Sequence, residues 1–536
     1  MIRCLVLCLA LAGLMCMAVT GCDSKSTDSA QPSSSSAQAA PVPAPDGLAA
    51  ELIINNPGRL WETIRAETPL IRVGTSRSLA GLAISGLGLP LQAIDQFDEQ
   101  LPLLGAALDM DGARGFAFAI HVRDPARCRA LFTGGEDAAF TAERVGDFTW
   151  FSPTEAARSS VFDAVIAMHD HYLVAGSDRR SVEVLAPYMS RTLAREEANA
   201  DAQLRLRRAA FESVEDAELP TIDGLELPEF LTAVVDREAL RGALRDALGG
   251  TESATVRFAL EPERIVIDGT LQFRAALSDV MASLPTLERD ELLDAPDDAI
   301  GTLAWTESEA SRIDSATRLA KSFGAALGGS DTTLEAALLH LARGRGGRQH
   351  IGVRCTGIGL TVFAHGDVVD AGALKEGVSQ LVALHKDPKV KAQLAQQKVD
   401  LQVKRTRVLE VPFDITRVRL TSQRTKLAAS PVALVFAQHE KRYFITGGHE
   451  ASATLPMIFA PNEETSWRRH PAIADPLARL GERLWFAAVV DATGIAACLE
   501  GQPGNAALTP LVIAVFPRGQ PAFRLEVPRR ALGLIR

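Results

Sequence analysis

VFDAVIAMHDHYLVAG, at residues 161–176, indicates the local unit from which this protein is built. Residues 161–168 are largely apolar and predict a β-strand, and Asp170 favours a tight turn after it. Residues 172–175 then predict the returning strand of a β-hairpin. The local unit of the fold is therefore expected to be an antiparallel hairpin.

A helix is predicted directly after this hairpin. Ser177 or Asp178 can act as its N-cap, because a short polar side chain accepts a hydrogen bond from a free backbone N–H of the first turn. Pro187 lacks a backbone N–H and is expected to kink the helix or to end it early.

Three blocks of sequence recur in the same order along the chain. They are GFAFAIH at 115–121 with GLTVFAH at 359–365, YLVAG at 172–176 with YFITG at 443–447, and FLTAVVD at 230–236 with WFAAVVD at 485–491. The third block is the strongest match. Three matches in order indicate tandem modules that differ by insertions and deletions.

The predicted fold class is α+β, with two tandem related modules in which antiparallel β-hairpins alternate with helices packed on the sheet. The first module is assigned to residues 47–295 and the second to residues 296–536, with the boundary near the polar stretch DAPDDAI at 294–300. The chain lacks a sustained βαβ rhythm and a Gly-rich dinucleotide fingerprint, which argues against a Rossmann domain.

The N-terminus has the pattern of an export signal. Arg3 is followed by an apolar run at 4–18 that is too short to span a bilayer comfortably, and VTGC at 19–22 comes next. This segment resembles the lipobox of bacterial lipoproteins. The resemblance implies a signal peptide at 1–21, cleaved before Cys22, and covalent attachment of diacylglycerol and an N-acyl chain to Cys22.

Residues 22–46 are mostly Ser, Ala, Gln and Pro, a composition that predicts a disordered tether. Two or more acyl chains suffice for a lasting anchor. The chain is therefore expected to be held on the cell membrane or the outer membrane, facing the periplasm or the exterior. Asp23 resembles an inner-membrane retention signal of enteric bacteria, but the choice of membrane stays open.

Composition limits the classes of partner and the number of cross-links. The chain has 536 residues and a net charge of -10, which argues against nucleic acid or anionic lipid as a partner for the whole surface but leaves a local basic site open. Three of the seven cysteines leave with the signal and Cys22 carries lipid, so only Cys128, Cys355 and Cys498 remain. At most one disulfide can form among them, and buried free thiols are the favoured interpretation.

The stretch GFAFAIHVRDPARCRALF, at 115–132, predicts a strand, an Asp-Pro helix start and a helix. With the hairpin and helix at 164–188, it is similar to large uncharacterised bacterial envelope proteins that contain domains of unknown function. The resemblance implies an exported and anchored α+β protein, and it brings no catalytic residues with it.

Two pairs of histidines are candidate site residues. His169 and His171 would share one face of an extended strand, as two metal ligands can, whereas a turn would leave both imidazoles in solvent. His121 and His365 end the first pair of matching blocks, so they are the best probe of a shared binding site. Strand-end histidines bonded to backbone groups are the simpler interpretation of that second pair.

Basic residues suggest two further sites. Arg345 and Arg348 lie in GRGGR at 344–348, which predicts a flexible loop that contacts solvent or an anionic head group. A positive stretch further along offers a surface for an anionic partner, and its members are Lys389, Lys391, Lys398, Lys404, Arg405 and Arg407.

Asp236 and Asp491 each end a matching block and precede a helical segment, so both are expected to be N-caps rather than catalytic residues. No catalytic motif, metal site or cofactor site is identified in the sequence. The function predicted is that of a non-catalytic envelope lipoprotein acting as a binding or scaffold module, with another envelope protein or the cell wall as its partner. Alternatives are a periplasmic carrier of lipid or another hydrophobic ligand, and a hydrolase with an unrecognised site.

Overall fold

The computed structural model describes residues 40–67, 76, 78–110, 113–134, 138–154, 164–215, 249–326, 332–357, 359–396, 399–406, 415–422, 432–501, 508–518 and 520–532. These residues fall into two compact units, an N-terminal unit within residues 40–274 and a C-terminal unit within residues 275–532. The signal, Cys22, most of the tether and the block at 230–236 lie outside the described residues.

The N-terminal unit contains an antiparallel sheet. Its described strands are β1 Leu48–Ile54, β2 Leu103–Met110, β3 Ala113–His121, β4 Phe140–Val145, β5 Phe148–Pro153, β6 Val165–His169, β7 Tyr172–Gly176, β8 Ala202–Arg207, β9 Thr251–Leu260 and β10 Arg264–Phe273. They pair in the order β4-β5-β6-β7-β3-β2-β1-β8-β9-β10.

The predicted hairpin is confirmed as β6 and β7. His169 pairs with Tyr172 across a turn of two residues, Asp170 and His171. Asp170 has a φ of 51°, a left-handed conformation that Asp tolerates better than most residues do. The chain therefore reverses between the two histidines.

Helices cover both faces of this sheet. The described helices are α1 Pro57–Glu67, α2 Leu79–Leu87, α3 Pro125–Thr133, α4 Arg179–Arg191 and α5 Arg208–Glu215. Leu185 of α4 belongs to a buried cluster with Ala167 and Val174, whereas Phe132 of α3 belongs to a second cluster with Met168. Because successive side chains of a strand point to opposite faces, Ala167 and Met168 place these clusters on opposite sides of the sheet.

The helix after the hairpin begins as predicted and ends later than predicted. Asp178 is its N-cap and accepts a hydrogen bond from the N–H of Ser181 at 2.8 Å. The helix continues past Pro187 to Arg191. Tyr188 and Met189 are buried on its sheet side, and this packing compensates for the hydrogen bond that Pro187 cannot make.

The C-terminal unit also contains an antiparallel sheet. Its described strands are β11 Leu287–Glu288, β12 Ala299–Thr306, β13 Arg345–Thr356, β14 Gly359–Val368, β15 Val399–Thr406, β16 Ile415–Ser422, β17 Val432–His439, β18 Arg442–Gly448, β19 Arg483–Leu484, β20 Phe486–Asp491, β21 Pro510–Arg518 and β22 Gln520–Pro528. The large sheet has the order β15-β16-β17-β18-β14-β13-β12-β20-β21-β22, and β11 pairs with β19.

Helices again lie on both faces. The described helices are α6 Ala275–Ala282, α7 Glu309–Ala326, α8 Thr332–Gly344, α9 Ala371–Ala383, α10 Pro388–Gln396, α11 Ala451–Phe459, α12 Pro471–Ala478, α13 Ala492–Leu499 and α14 Arg529–Leu532. Leu455 of α11 packs in the main core with Val435 and Phe444. Leu374 of α9 packs on the opposite face in a smaller cluster with Val368 and Tyr443.

The units divide after Arg274, about twenty residues before the predicted boundary at 295–296. Leu292 and Ala295 are buried in the main core of the C-terminal unit. The polar composition of residues 294–300 suggested a linker, but the apolar neighbours of those acidic side chains are core residues.

Two of the three remaining cysteines form a disulfide, which corrects the expectation of free thiols. Cys355 on β13 is bonded to Cys498 on α13, with their Cα atoms 5.9 Å apart. Cys128 on α3 is a buried free thiol, as predicted. The pairing was not visible in the sequence because 143 residues separate the bonded cysteines.

The fold is thus a mixture of helices and antiparallel sheet. Within the residues that the structure describes, no helix is both long and apolar enough to cross a membrane.

Candidate functional site

His121 and His365 lie at different distances from the hairpin turn that their strands pair with. His121 on β3 pairs with Tyr172, the first residue after the β6–β7 turn. His365 on β14 pairs with Phe444, which lies two residues beyond Arg442, the first residue after the β17–β18 turn. A gapless match of apolar letters missed this shift of two residues.

His169 and His439 hold the same position relative to their hairpin turns. Each is the last residue before its hairpin turn, and each is followed by an acidic residue with positive φ, Asp170 at 51° and Glu440 at 49°. The remaining turn residue is His171 in one hairpin and Lys441 in the other.

His169 and His171 do not form a metal-binding pair. His169 is 1% exposed and packs against Phe148, with ring centroids 4.7 Å apart, whereas His171 is exposed and stacks on His121 at 5.9 Å. The turn at Asp170 places the two imidazoles in different surroundings. Among the described residues no group of three His, Cys, Asp or Glu side chains is arranged to hold a metal ion.

A serine, a histidine and an aspartate do meet at this hairpin. The Nδ1 atom of His169 lies 3.1 Å from Oγ of Ser190 and 3.4 Å from Oδ2 of Asp170. The Nε2 atom of His169 faces the guanidinium of Arg191 at 3.5 Å. In a catalytic triad the serine and the carboxylate use different ring nitrogens, so this arrangement cannot relay a proton in the manner of a triad.

Electrostatics agree with a structural role for this cluster. Burial lowers the pKa of His169, although Asp170 opposes the effect. Asp170 also has a fixed partner, because Arg191 donates to its Oδ2 at 3.0 Å. Burial alone would raise the pKa of the Asp170 carboxyl, but this hydrogen bond helps to hold it below its ordinary value.

The C-terminal unit contains a second cluster of polar side chains, here called the His350–His365 cluster: Glu291, Arg348, His350, His365, Asp367 and Arg442. His350 and His365 are directly opposed on β13 and β14 and are 4% and 6% exposed. Nη2 of Arg442 donates to Nδ1 of His365 at 2.9 Å, which fixes that nitrogen as an acceptor. Burial, with His350 and Arg442 nearby, lowers the pKa of His365 well below its ordinary value.

Glu291 closes the other end of the cluster. It lies in a short 3-10 helix, Arg289–Asp294, and its Oε2 atom is 3.0 Å from Nε2 of His350. Burial alone would raise the pKa of Glu291, but the hydrogen bond to His350 and the charge of Arg348 lower it. This carboxylate therefore ties the 3-10 helix to the sheet.

Arg345 and Arg348 lie in strand β13 and not in a flexible loop, which corrects the prediction for residues 344–348. Helix α8 ends at Gly344 and passes directly into the strand. Arg348 donates to both carboxylate oxygens of Asp367, at 2.7 and 3.1 Å, and to Glu291 at 3.0 Å. Arg345 is half-buried. Burial raises the pKa of Glu307, and the positive charge of Arg345 opposes that rise.

Sequence reasoning therefore found two members of this cluster, Arg348 and His365, but missed the other four. Glu291 was missed because it lies next to the polar stretch at 294–300, whose composition suggested a boundary. His350 and Asp367 were missed because they belong to no recognisable motif. A signal existed in the alternation of β13, because Arg348, His350 and Arg354 share one face of a strand whose other residues are mainly apolar or Gly.

Asp491 is an N-cap, as predicted, and it is 3% exposed. Its carboxylate accepts hydrogen bonds from the N–H groups of Gly494 at 2.9 Å and Thr509 at 2.7 Å. Thr493 adds a hydroxyl donor at 2.7 Å. The predicted partner cap, Asp236, lies outside the described residues.

A cleft of about 810 Å³ opens beside the main core of the C-terminal unit. Its lining is Leu293, Glu463, Glu464, Thr465, Arg468 and Arg469. The two arginines form ion pairs with Asp294 and Asp297, at 2.7 and 2.6 Å. The lining is thus largely charged, unlike the apolar cavity expected of a lipid carrier.

No protein-family model matches the chain, and no curated protein matches it significantly. Two solved structures, crystal forms I and III of TP0453, are each similar to 45% of the chain at 9% identity and cover 84% and 85% of their own length. The TM-scores are 0.23 and 0.24, a likeness too low to bear on the fold or the activity of this protein.

Proposed function

We propose that this protein is a membrane-anchored envelope lipoprotein whose folded part is a non-catalytic binding or scaffold module. The anchor in this proposal is the thioether-linked diacylglycerol and N-acyl chain on Cys22. The lipobox VTGC at 19–22 and the polar tether at 22–46 support the anchor.

The disulfide between Cys355 and Cys498 is the observation that carries the export proposal. Disulfides form and persist in oxidising compartments such as the bacterial periplasm and are rare in the reducing cytosol. A cross-link in the folded part therefore agrees with a signal read from the opposite end of the chain. The two observations are independent, because the signal is local and the cross-link is tertiary.

Two tandem related modules are the second part of the proposal. The N-terminal sheet has the strand order β4-β5-β6-β7-β3-β2-β1-β8-β9-β10. The C-terminal sheet has the order β15-β16-β17-β18-β14-β13-β12-β20-β21-β22. If the strands of each sheet are numbered from one to ten along the chain, leaving β11 and β19 aside, the two orders are the same. An order of ten strands with the same jumps supports duplication more strongly than short sequence matches do.

Contacts at the two histidine clusters support the non-catalytic part. Ser190 and Asp170 approach the same nitrogen of His169, so that cluster has no triad geometry. His365 is held by Arg442, and Arg348 by Asp367. These polar side chains are used to hold strands and turns together.

The proposal is tested in the producing cell by metabolic labelling with a radioactive fatty acid, followed by membrane fractionation. The parent should carry the label and sediment with membranes, whereas Cys22→Ser should lose the label. Cys128→Ser is the matched control and should keep it. An unlabelled parent would overturn the anchor. Three reactive thiols in the C-terminal 490 or so residues of the denatured but unreduced parent would overturn export to an oxidising compartment.

A further inference from the structure

Apolar side chains are exposed on one face of the C-terminal sheet. Leu360 and Val362 on β14 are 53% and 41% exposed, and Val432 and Leu434 on β17 are 36% and 43% exposed. Residues that alternate with them, such as Phe363 and Ala433, point to the opposite face and are buried in the main core. The exposure therefore belongs to a face of the sheet and not to a frayed strand.

Val362 and Leu434 lie in one line across the sheet. Val362 and Leu434 both oppose Gly447, which lies between them on β18 and has no side chain to separate them. The line continues through directly paired residues on both sides, and six strands contribute to this apolar row: Val353, Val362, Gly447, Leu434, Val418 and Val403. Directly paired residues share one face, so the row is continuous.

Helices cover only part of this face. Leu374 of α9 packs on Tyr443, and Leu341 of α8, Phe436 and Ile445 surround that contact. The apolar row lies two residues further along the strands from Phe436 and Ile445, and there Val362 and Leu434 stay exposed.

A corresponding region of the N-terminal sheet is also uncovered. Phe116 and Phe118 on β3 are 47% and 44% exposed, whereas Ala117 and Ala119 between and after them are buried. Counted from the hairpin turns, Phe116 occupies the position that Val362 has on β14. Exposed large apolar side chains at the same place in both sheets favour a shared contact role over chance.

Lysines border the apolar row at its β15 end. Helix α10 contacts β15, and its Lys389 and Lys391 are exposed, as is Lys386 just before it. On a chain with a net charge of -10, this is a local positive edge beside an apolar surface.

We propose that the apolar row of the C-terminal unit rests on an anionic lipid surface, with Lys389 and Lys391 at the head groups. This inference rests on the proposed anchor, which would already hold the unit near a membrane. An interfacial contact uses both apolar side chains and ammonium groups. An acidic polymer would leave Val362 and Leu434 in water.

The test uses residues 22–536 carrying Cys22→Ser, so that no acyl chain contributes to binding. Flotation is measured with vesicles rich in phosphatidylglycerol and with vesicles of phosphatidylcholine alone. Two variants remove the proposed contacts: Val362→Thr with Leu434→Thr, which keeps β-favouring side chains, and Lys389→Glu with Lys391→Glu, whose acidic side chains suit the start of a helix. The matched control reverses two exposed lysines elsewhere in the unit, Lys321→Glu with Lys441→Glu.

Binding to phosphatidylglycerol vesicles should be at least about tenfold weaker for each contact variant, in keeping with roughly one order of magnitude per pair of interfacial lysines. The control pair should lose less than about a third as much, and thermal unfolding should confirm that all variants fold. No binding of the parent, or equal losses in the control pair, would overturn the proposal.

Two other outcomes would also overturn it. If only the lysine variant weakens binding, the surface recognises anions without an apolar contact. If sedimentation shows a dimer that the Val362 and Leu434 substitutions dissociate, the face is an interface between copies of the chain. Acyl labelling at Cys22 is scored separately, so failure of this proposal and failure of the anchor are distinguishable.

Discussion

The imidazole rings of His350 and His365 stack, with centroids 4.5 Å apart and planes 12° from parallel. The two residues are direct partners on β13 and β14. Glu291 approaches the first ring and Arg442 the second, so the stack joins a 3-10 helix, two central strands and the β18 end of a hairpin. Removing either ring is therefore expected to be felt beyond its own strand.

This stack predicts a loss of stability on acidification. Burial lowers the pKa of His365 in the folded chain, so below about pH 6.5 the unfolded chain binds a proton at this residue that the folded chain does not bind. The free energy of unfolding should then decrease as the pH falls, by up to about 1.4 kcal/mol per pH unit for this one group.

His365→Phe should remove this contribution while keeping an aromatic ring against His350. Urea unfolding between pH 5 and 7.5 measures the slope of stability against pH. His340→Gln, on α8 of the same unit, is the control. An unchanged slope in His365→Phe, with a reduced slope in the control, would contradict the assignment to His365.

The fork of Arg348 on Asp367 predicts a measurable coupling energy. Both side chains are about one-third exposed, so solvent screens the pair, but the two hydrogen bonds are bidentate. A double-mutant cycle with Arg348→Ala and Asp367→Ala should give about 1 kcal/mol of coupling. The exposed pair of Arg179 and Glu183 should give about 0.3 kcal/mol, and equal values for both pairs would argue against a structural role for Arg348.

The disulfide predicts a loss of stability when it is removed and the number of thiols that react in the unreduced protein. Cys355→Ser with Cys498→Ser should lower the free energy of unfolding by about 3–5 kcal/mol, because the bond closes a long loop in the unfolded chain. In denatured but unreduced protein, iodoacetamide should label Cys128 and neither bonded cysteine.

In the native protein Cys128 itself should react slowly. It is buried, and burial with the nearby Asp124 raises the pKa of its thiol to about 12. Rapid native labelling of this thiol would mean that α3 opens readily.

Replacing either of two N-cap aspartates by alanine should lower the free energy of unfolding, by a different amount at each position. Asp491→Ala should cost about 2–3 kcal/mol, because the N–H groups of Gly494 and Thr509 would be buried without their acceptor. Asp124→Ala should cost about 1 kcal/mol, since the N–H groups that it caps are solvent-accessible. Thermal unfolding measures both, and a larger loss for Asp124 would contradict this account.

The strongest sequence match illustrates the limit of pattern comparison. WFAAVVD at 485–491 includes β20, which lies between β12 and β21. The strand between β1 and β9 is β8, Ala202–Arg207, whereas the matching block FLTAVVD at 230–236 lies outside the described residues. Apolar letters report that a segment is buried, but hydrogen-bonded partners define its position in a sheet.

Local chemistry explains what the sequence determined by itself. The hairpin at Asp170, the caps Asp124, Asp178 and Asp491, and the buried Cys128 were all predictable, because each depends on a few consecutive residues. The antiparallel, mixed character of the fold follows from the same hairpins.

Three contacts depend on tertiary packing and could not be predicted from the sequence: the register of His365, the pairing of Cys355 with Cys498, and the fork of Arg348 on Asp367. In each case the partners come from separate elements that chain folding brings together. A shift of one residue moves a side chain to the other face of a sheet, so these contacts depend on the packing of the whole unit.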